Sequence, residues 1–254
     1  MFSETDTPGE TRNRPAEKPG GCGPERDYAS SEARGGRASP RKGGVPAESR
    51  ERSTGEAGEG VERERRERIL VHACCASCSS YVLDHLKERY DVTAYYYNPN
   101  IEPEEEYRLR LDEMRSVCEG LGVPLIEGRY DRDAWWRRIE PFRGLPERSE
   151  RCWSCYRLRL EETARRAKEL GFTLFTTTLS VSPHKVHRRI VNEGEAAAER
   201  HGLRFLPEDF KKRDGFKLSV ERSRELGLTR QDYCGCLLSL EEAKKREKKK
   251  EKRE

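Results

Sequence analysis

Two periods of apolar spacing alternate through the middle of the chain. Ile69–Ala73 (ILVHA) is a short apolar run, and Val92–Tyr97 (VTAYYY) is β-branched and aromatic. Val123–Ile126 and Phe172–Leu179 (FTLFTTTL) have the same character, as does the shorter Leu203–Leu206. Runs of this length and composition predict buried strands. Between them the spacing becomes helical. Ser79 or Ser80 is placed to cap a helix reaching about Tyr90. Pro103 opens another, with three glutamates in its first turn and Tyr107, Leu111, Met114, Cys118 and Leu121 on one stripe. Helices are also predicted over 131–142, with Trp135 and Ile139 on one face, and over 155–170, stopped by Gly171. The last two cover 185–201 and 218–226. No internal repeat stands out.

Strands alternating with helices imply parallel pairing through right-handed crossovers. The expected fold is an α/β three-layer sandwich with a mainly parallel, Rossmann-like sheet, in a single domain with disordered charged tails. Ligands in such folds collect at the carboxyl ends of strands. The turn after 69–73 and the polar stretch after 172–179 both fall there.

Composition sets the domain limits. The chain is 39% charged and 33% hydrophobic, against roughly 25% and 45–50% for globular domains. The polarity is concentrated at the ends. Residues 1–66 hold few large apolar side chains beyond Phe2, Tyr28 and two valines, and are expected to be a disordered arm. Residues 241–254 (EEAKKREKKKEKRE) are expected to be a charged tail, which leaves 67–240 as the folded domain. A net charge of +4 does not by itself announce a nucleic-acid binder. With no apolar run of about 20 residues and no signal-peptide core, the expected compartment is the cytoplasm, without membrane.

Thiols stay reduced there, so nine cysteines call for metal or redox chemistry rather than disulfide staples. They gather at Cys74/Cys75/Cys78, Cys152/Cys155 and Cys234/Cys236. Adjacent thiolates such as Cys74 and Cys75 fit poorly on one tetrahedral ion but can reach different irons of a cluster. Cys152-Trp-Ser-Cys155 has a spacing used by zinc, iron–sulfur and thiol redox centres alike. A disulfide across Cys234-Gly-Cys236 is strained and easily reduced, which suits redox work. A structural zinc site on Cys75, Cys78, Cys152 and Cys155 is the competing reading. Against it, about 74 residues separate the pairs, where zinc ribbons use roughly 15–20. Cys118 reads as buried core and Cys22 as incidental.

Ser180-Val-Ser-Pro-His-Lys185 precedes a helix and forms a candidate anion or substrate cradle. His184 is a candidate proton donor there; the alternative makes Ser182 a helix cap and His184 a surface residue. Asp209–Phe216 interleaves Lys211, Lys212 and Arg213 with aromatics, as a nucleic-acid contact or as a solvated loop. His72 either faces the site or packs in the core.

The segments VHACCASCSSYVL (71–83), YYYNPNIEPEEEYRLRL (95–111), RCWSCYRLRLEETA (151–164), FTTTLSVSPHK (175–185), LPEDFKKRDGFKLSV (206–220) and RQDYCGC (230–236) together resemble the QueH-type epoxyqueuosine reductases. The resemblance spans 68–240 in the same order and leaves out both tails. It implies an enzyme, an oxidoreductase that removes the epoxide oxygen of epoxyqueuosine in tRNA, giving queuosine in the last step of that modification. It implies a 4Fe-4S cluster on Cys74, Cys75, Cys152 and Cys155, a redox-active pair at Cys234 and Cys236, and a second, mononuclear iron for which Cys78 is a candidate ligand. Ser77 departs from the family's commonest motif, which has proline. Implied partners are epoxyqueuosine-bearing tRNA and an electron donor. His184 and Asp232 are candidate proton donors; Lys185, Lys211, Lys212 and Arg213 are candidate phosphate contacts. Two other classes fit the spacing alone: a metal-independent thiol–disulfide oxidoreductase and a zinc-stabilised RNA-binding module.

Overall fold

The computed structural model describes residues 66–252. The expectations for the amino-terminal arm and Cys22 lie outside the described residues. Five strands form one parallel sheet: β1 (Arg68–His72), β2 (Asp91–Tyr96), β3 (Leu125–Glu127), β4 (Leu174–Thr177) and β5 (Arg204–Phe205). Their order across the sheet is β3-β2-β1-β4-β5, so the chain reverses direction of winding between β1 and β4. Register pairs Val71 with Ala94 on one side and with Thr176 on the other.

Seven α-helices among the described residues cover the sheet: α1 (Ala76–Lys87), α2 (Glu104–Leu121), α3 (Arg132–Ile139), α4 (Glu150–Glu169), α5 (His187–His201), α6 (Gly215–Glu225) and α7 (Leu237–Glu251). Alternate residues of each strand feed the two faces. Ile69, Val71, Val92, Ala94 and Tyr96 pack with Val82, Leu83 and Leu86 of α1 and with Tyr107, Leu111 and Met114 of α2. Leu70, Tyr95 and Phe175 pack with Ala164 and Ala167 of α4 and Ala197 and Ala198 of α5. The three-layer α/β expectation is met.

Four helix starts differ from the sequence reading, that of α6 by opening at Gly215 rather than at 218. Helix α1 begins at Ala76, because extended Cys75 (φ −168°) takes the N-cap position straight after β1. Ser79 and Ser80 are therefore buried inside the helix rather than capping it. Helix α4 starts at Glu150 after Ser149, so Cys152 and Cys155 both lie in its first two turns. Helix α5 starts at His187, and Ser182 Oγ accepts from the His184 N–H instead of capping it. The largest correction is α7. Residues 241–251 continue a helix rather than forming a disordered tail. Its Ala, Glu, Lys and Arg residues are good helix formers. Leu238 and Ser239 bury its first turn, and Glu242 accepts from buried Arg151 at 2.8 Å.

Candidate thiol redox site

The winding reverses between β1 and β4, and the cysteines gather at the carboxyl edge of the sheet there. Cys74 and Cys75 leave β1, and Cys78 follows in the first turn of α1. Their three sulfurs lie within 4.8 Å of one another, with Cys74 and Cys75 4.0 Å apart. From β4 comes Thr178, whose Oγ1 accepts from the Cys74 N–H at 3.0 Å and donates to Cys74 Sγ at 3.2 Å. Helix α4 contributes Cys152, which packs in one cluster with Cys74, and Cys155, which packs in another with Cys236. Trp135 Nε1 donates to Cys155 Sγ at 3.3 Å. All eight described cysteines are free thiols, and Cys118 is core, as its stripe position predicts.

The trio Cys74/Cys75/Cys78 shares charge. Hydrogen bonds from Cys75 and Cys78 hold Cys74 well below the usual thiol range, with Arg159 and Lys185 adding to the effect against burial. The same contacts push Cys75 up to about 12 and Cys78 well above its ordinary value. Negative charge on the trio is thus favoured at Cys74 and disfavoured at its two neighbours. Burial lifts Cys152 to about 11, and burial with the Cys234 charge lifts Cys236 to about 12.

Three cations face these sulfurs. Lys185 Nζ lies 3.3 Å from Cys234 Sγ. Burial works against its charge, but Cys234, Tyr156 and Cys74 raise it well above the ordinary lysine value. Arg159 of α4 is 2% exposed and donates through Nε to His72 Nε2 at 3.2 Å and through Nη2 to Asn98 Oδ1. His72 Nδ1 lies 2.7 Å from Thr177 Oγ1, and Nε2 lies 3.2 Å from the Tyr97 carbonyl as well as from Arg159 Nε. Burial, then Arg159, lowers His72 to about 3, so the ring is neutral in the core. Asn98 in turn donates to the Ala73 carbonyl at 2.9 Å, fixing the backbone just before Cys74.

Arg110 of α2 is the third. Its Nε pairs with Glu106 at 2.7 Å, and its Nη1 donates to the Cys234 carbonyl at 3.4 Å. The Cys234–Cys236 loop is framed by Glu102 as well: the Glu102 N–H donates to Gly235 O at 2.8 Å, and Tyr233 OH donates to Glu102 O at 3.2 Å. Gly235 sits at φ +114°, and a Cβ there would meet Arg110 Nη1 and Ile101 Cγ1, each at 3.0 Å. Only glycine fits between the two cysteines. Cys236 then starts α7, its Sγ accepting from the Ser239 N–H at 3.4 Å.

Of the residues expected from sequence, Cys74, Cys75, Cys78, Cys152, Cys155, Cys234 and Cys236 all gather at this edge. Lys185 joins them at Cys234. His184 and Asp232 are exposed. Lys212 and Arg213 are also exposed, and Lys211 pairs with Asp209 at 3.2 Å. Ser77, the departure from the motif, donates to Thr229 O at 3.0 Å and accepts from Ser223 Oγ at 3.0 Å, tying α1 to α6. Arg110, Arg159, Asn98 and Thr178 escaped the sequence reading. The two arginines do carry a signal, since both are the fourth residue of a Tyr-Arg-Leu-Arg-Leu segment (107–111 and 156–160).

A parallel α/β sheet gathers seven thiols and three buried or half-buried cations at its switch point. The sequence model of the family Epoxyqueuosine reductase QueH matches residues 69–242. The Streptococcus pyogenes epoxyqueuosine reductase QueH is 37% identical over 178 residues, 68% of this chain and 70% of the relative. The Thermotoga maritima protein of that name is 35% identical over 70% of this chain and 93% of its own length. The Helicobacter pylori one is 39% identical over 68% of this chain, which spans about half (49%) of that longer relative. The chain belongs to the epoxyqueuosine reductase QueH family and is an oxidoreductase of queuosine biosynthesis. No helix among the described residues is long and apolar enough to cross a membrane.

Proposed function

We propose that this chain is an iron–sulfur reductase that converts epoxyqueuosine to queuosine within tRNA. The observation that carries this reading is the convergence of seven thiols with the Lys185, Arg110 and Arg159 cations at one sheet edge. That donor set suits a cluster: soft thiolates select iron–sulfur chemistry, and the cations offset the negative charge that deprotonated ligands bring. In this reading Cys74, Cys75, Cys152 and Cys155 hold a 4Fe-4S cluster, and Cys78 holds a mononuclear iron beside it. When bound, these groups would supply electrons singly and a Lewis-acidic position for oxygen.

The reaction needs two electrons and two protons and releases water with the alkene. The Cys234/Cys236 dithiol carries that number of each, and becomes a disulfide as it gives them up; an external electron donor then restores it. Lys185 holds its ammonium against Cys234, the half-buried member, while Cys236 is nearly buried at the start of α7. Proton delivery by His184 or Asp232 takes place at the rim of the site, because both side chains are exposed. Single-stranded anticodon bases can be splayed into a pocket, and Lys211, Lys212 and Arg213 are the phosphate contacts in this reading. Lys185 contacts the dithiol first.

The test is incubation of anaerobically reconstituted protein with epoxyqueuosine-containing tRNA and a reductant, followed by nucleoside mass analysis. Brown protein and a mass loss of one oxygen are expected. A colourless, zinc-bearing or metal-free protein that leaves the nucleoside unchanged would sink the reading.

A further inference from the structure

Arg110 is 2% exposed, yet its donors are not all used. Nε serves Glu106 and Nη1 serves the Cys234 carbonyl, whereas Nη2 is buried without any acceptor. Two independent contacts fix where the group lies. Its guanidinium carbon stands 5.1 Å from the Tyr233 ring centroid, and Nη1 and the guanidinium carbon approach the position of a Gly235 Cβ at 3.0 and 3.5 Å. Burial disfavours its charge, and the Cys75 thiol is the foremost group favouring it. The fork therefore sits against the Cys234–Gly235 backbone and the Tyr233 ring.

A second buried group nearby in the chain is also unserved. Asn100 is 1% exposed and its Oδ1 has no donor. It lies two residues before Glu102, whose N–H holds Gly235. Buried polar groups are nearly always paired, and leaving one open costs of order 1–3 kcal/mol. The open donor lies against the dithiol loop, and the open acceptor lies two residues along the chain from the contact that holds that loop.

We propose that Arg110 Nη2 is the donor that receives the substrate oxygen lost in the reaction. The inference rests on the reductase reading above and names the group that recognises the substrate's oxidised form. Arg110 is well suited to it. Glu106 and the Cys234 carbonyl lock two of its nitrogens, so the third is held without freedom to follow the ligand. The same lock couples recognition to the dithiol loop, because the Cys234 carbonyl moves only with Nη1.

The test compares binding of epoxyqueuosine-tRNA with binding of queuosine-tRNA, which lacks that oxygen, under anaerobic conditions without reductant. Wild-type protein is expected to prefer the epoxide form by on the order of ten-fold. Arg110→Gln is expected to abolish this preference while iron content and visible spectrum stay as in wild type. Arg110→Lys keeps the charge beside Cys75 but cannot serve the loop and a ligand together; it stands in if the glutamine variant does not fold, with the same loss expected. Equal binding of the two tRNAs by wild type overturns the inference. So does a preference that survives either substitution, or a variant that loses its iron, since the donor would then serve the cysteines. A wild-type protein that binds neither tRNA overturns the reductase reading itself.

Discussion

The two Tyr-Arg-Leu-Arg-Leu segments lie on opposite faces of the sheet, one in α2 and one in α4, and their side chains divide in the same way. Tyr107 and Tyr156 are buried, as are Leu111 and Leu160. The first arginine of each is exposed and paired with a glutamate: Arg108 with Glu104, and Arg157 with Glu193. The second arginine of each turns inward to 2% exposure. Helical period alone produces that division, since residues i, i+3 and i+4 share a face. The partners then separate the copies. Arg159 is tied to His72 and Asn98 and charges the Cys155 and Cys74 side, while Arg110 keeps one nitrogen open beside the dithiol loop. Identical local sequence thus yields a fixed counter-charge in one place and an open receptor in the other.

The contrast is broken most severely at Arg159. Arg159→Met would strip His72 Nε2 and Asn98 Oδ1 of their donor inside the core and leave the thiolates facing them uncompensated. A loss of about 3–5 kcal/mol is expected in urea unfolding, because one partner of a buried charged network is removed. A smaller effect is expected at Gly235, where Ala would need φ +114° and would press on Arg110 Nη1 and Ile101. Strain of that kind costs about 1–3 kcal/mol. Turnover should fall with it while the chromophore on the other cysteines persists; loss of colour would show that the loop helps hold the metal. Smallest is Tyr233→Phe, which removes the hydroxyl donated to Glu102 O and leaves the ring near Arg110. A change of about 1 kcal/mol or less in thermal unfolding is expected. A larger effect would mean that the tyrosine, rather than Arg110, sets the loop.

Much of this architecture is written in single-residue chemistry. The runs ILVHA and VTAYYY are apolar enough to be nothing but sheet interior, and Gly171 ends α4 at φ +70° as its type suggests. Helix α7 escapes that reading because its stability comes from tertiary contacts, Arg151 with Glu242 and Arg246 with Glu147, that a run of like charges conceals. The start of α4 is hidden for a similar reason: Glu150 and Arg151 look like loop, yet Arg151 is buried under α7. At the site, thiols announce themselves by type and spacing. Buried arginines do not by type, because Arg on a helix is ordinarily a surface residue, and only their shared Tyr-Arg-Leu-Arg-Leu spacing marks these two. His72 was open between core and site, and the structure makes it both: a core histidine that braces a site arginine.

Cys236 gives the molecule one more property. Its sulfur accepts the Ser239 N–H, so the atom proposed to exchange electrons also begins a helix of fifteen residues, about 22 Å of rod at 1.5 Å per residue. Any chemical change at that sulfur alters the first turn of the rod. A spin label or fluorophore on the exposed lysines of α7 therefore rides on an element anchored at the dithiol, and a fusion partner attached there adds a mechanical load to it.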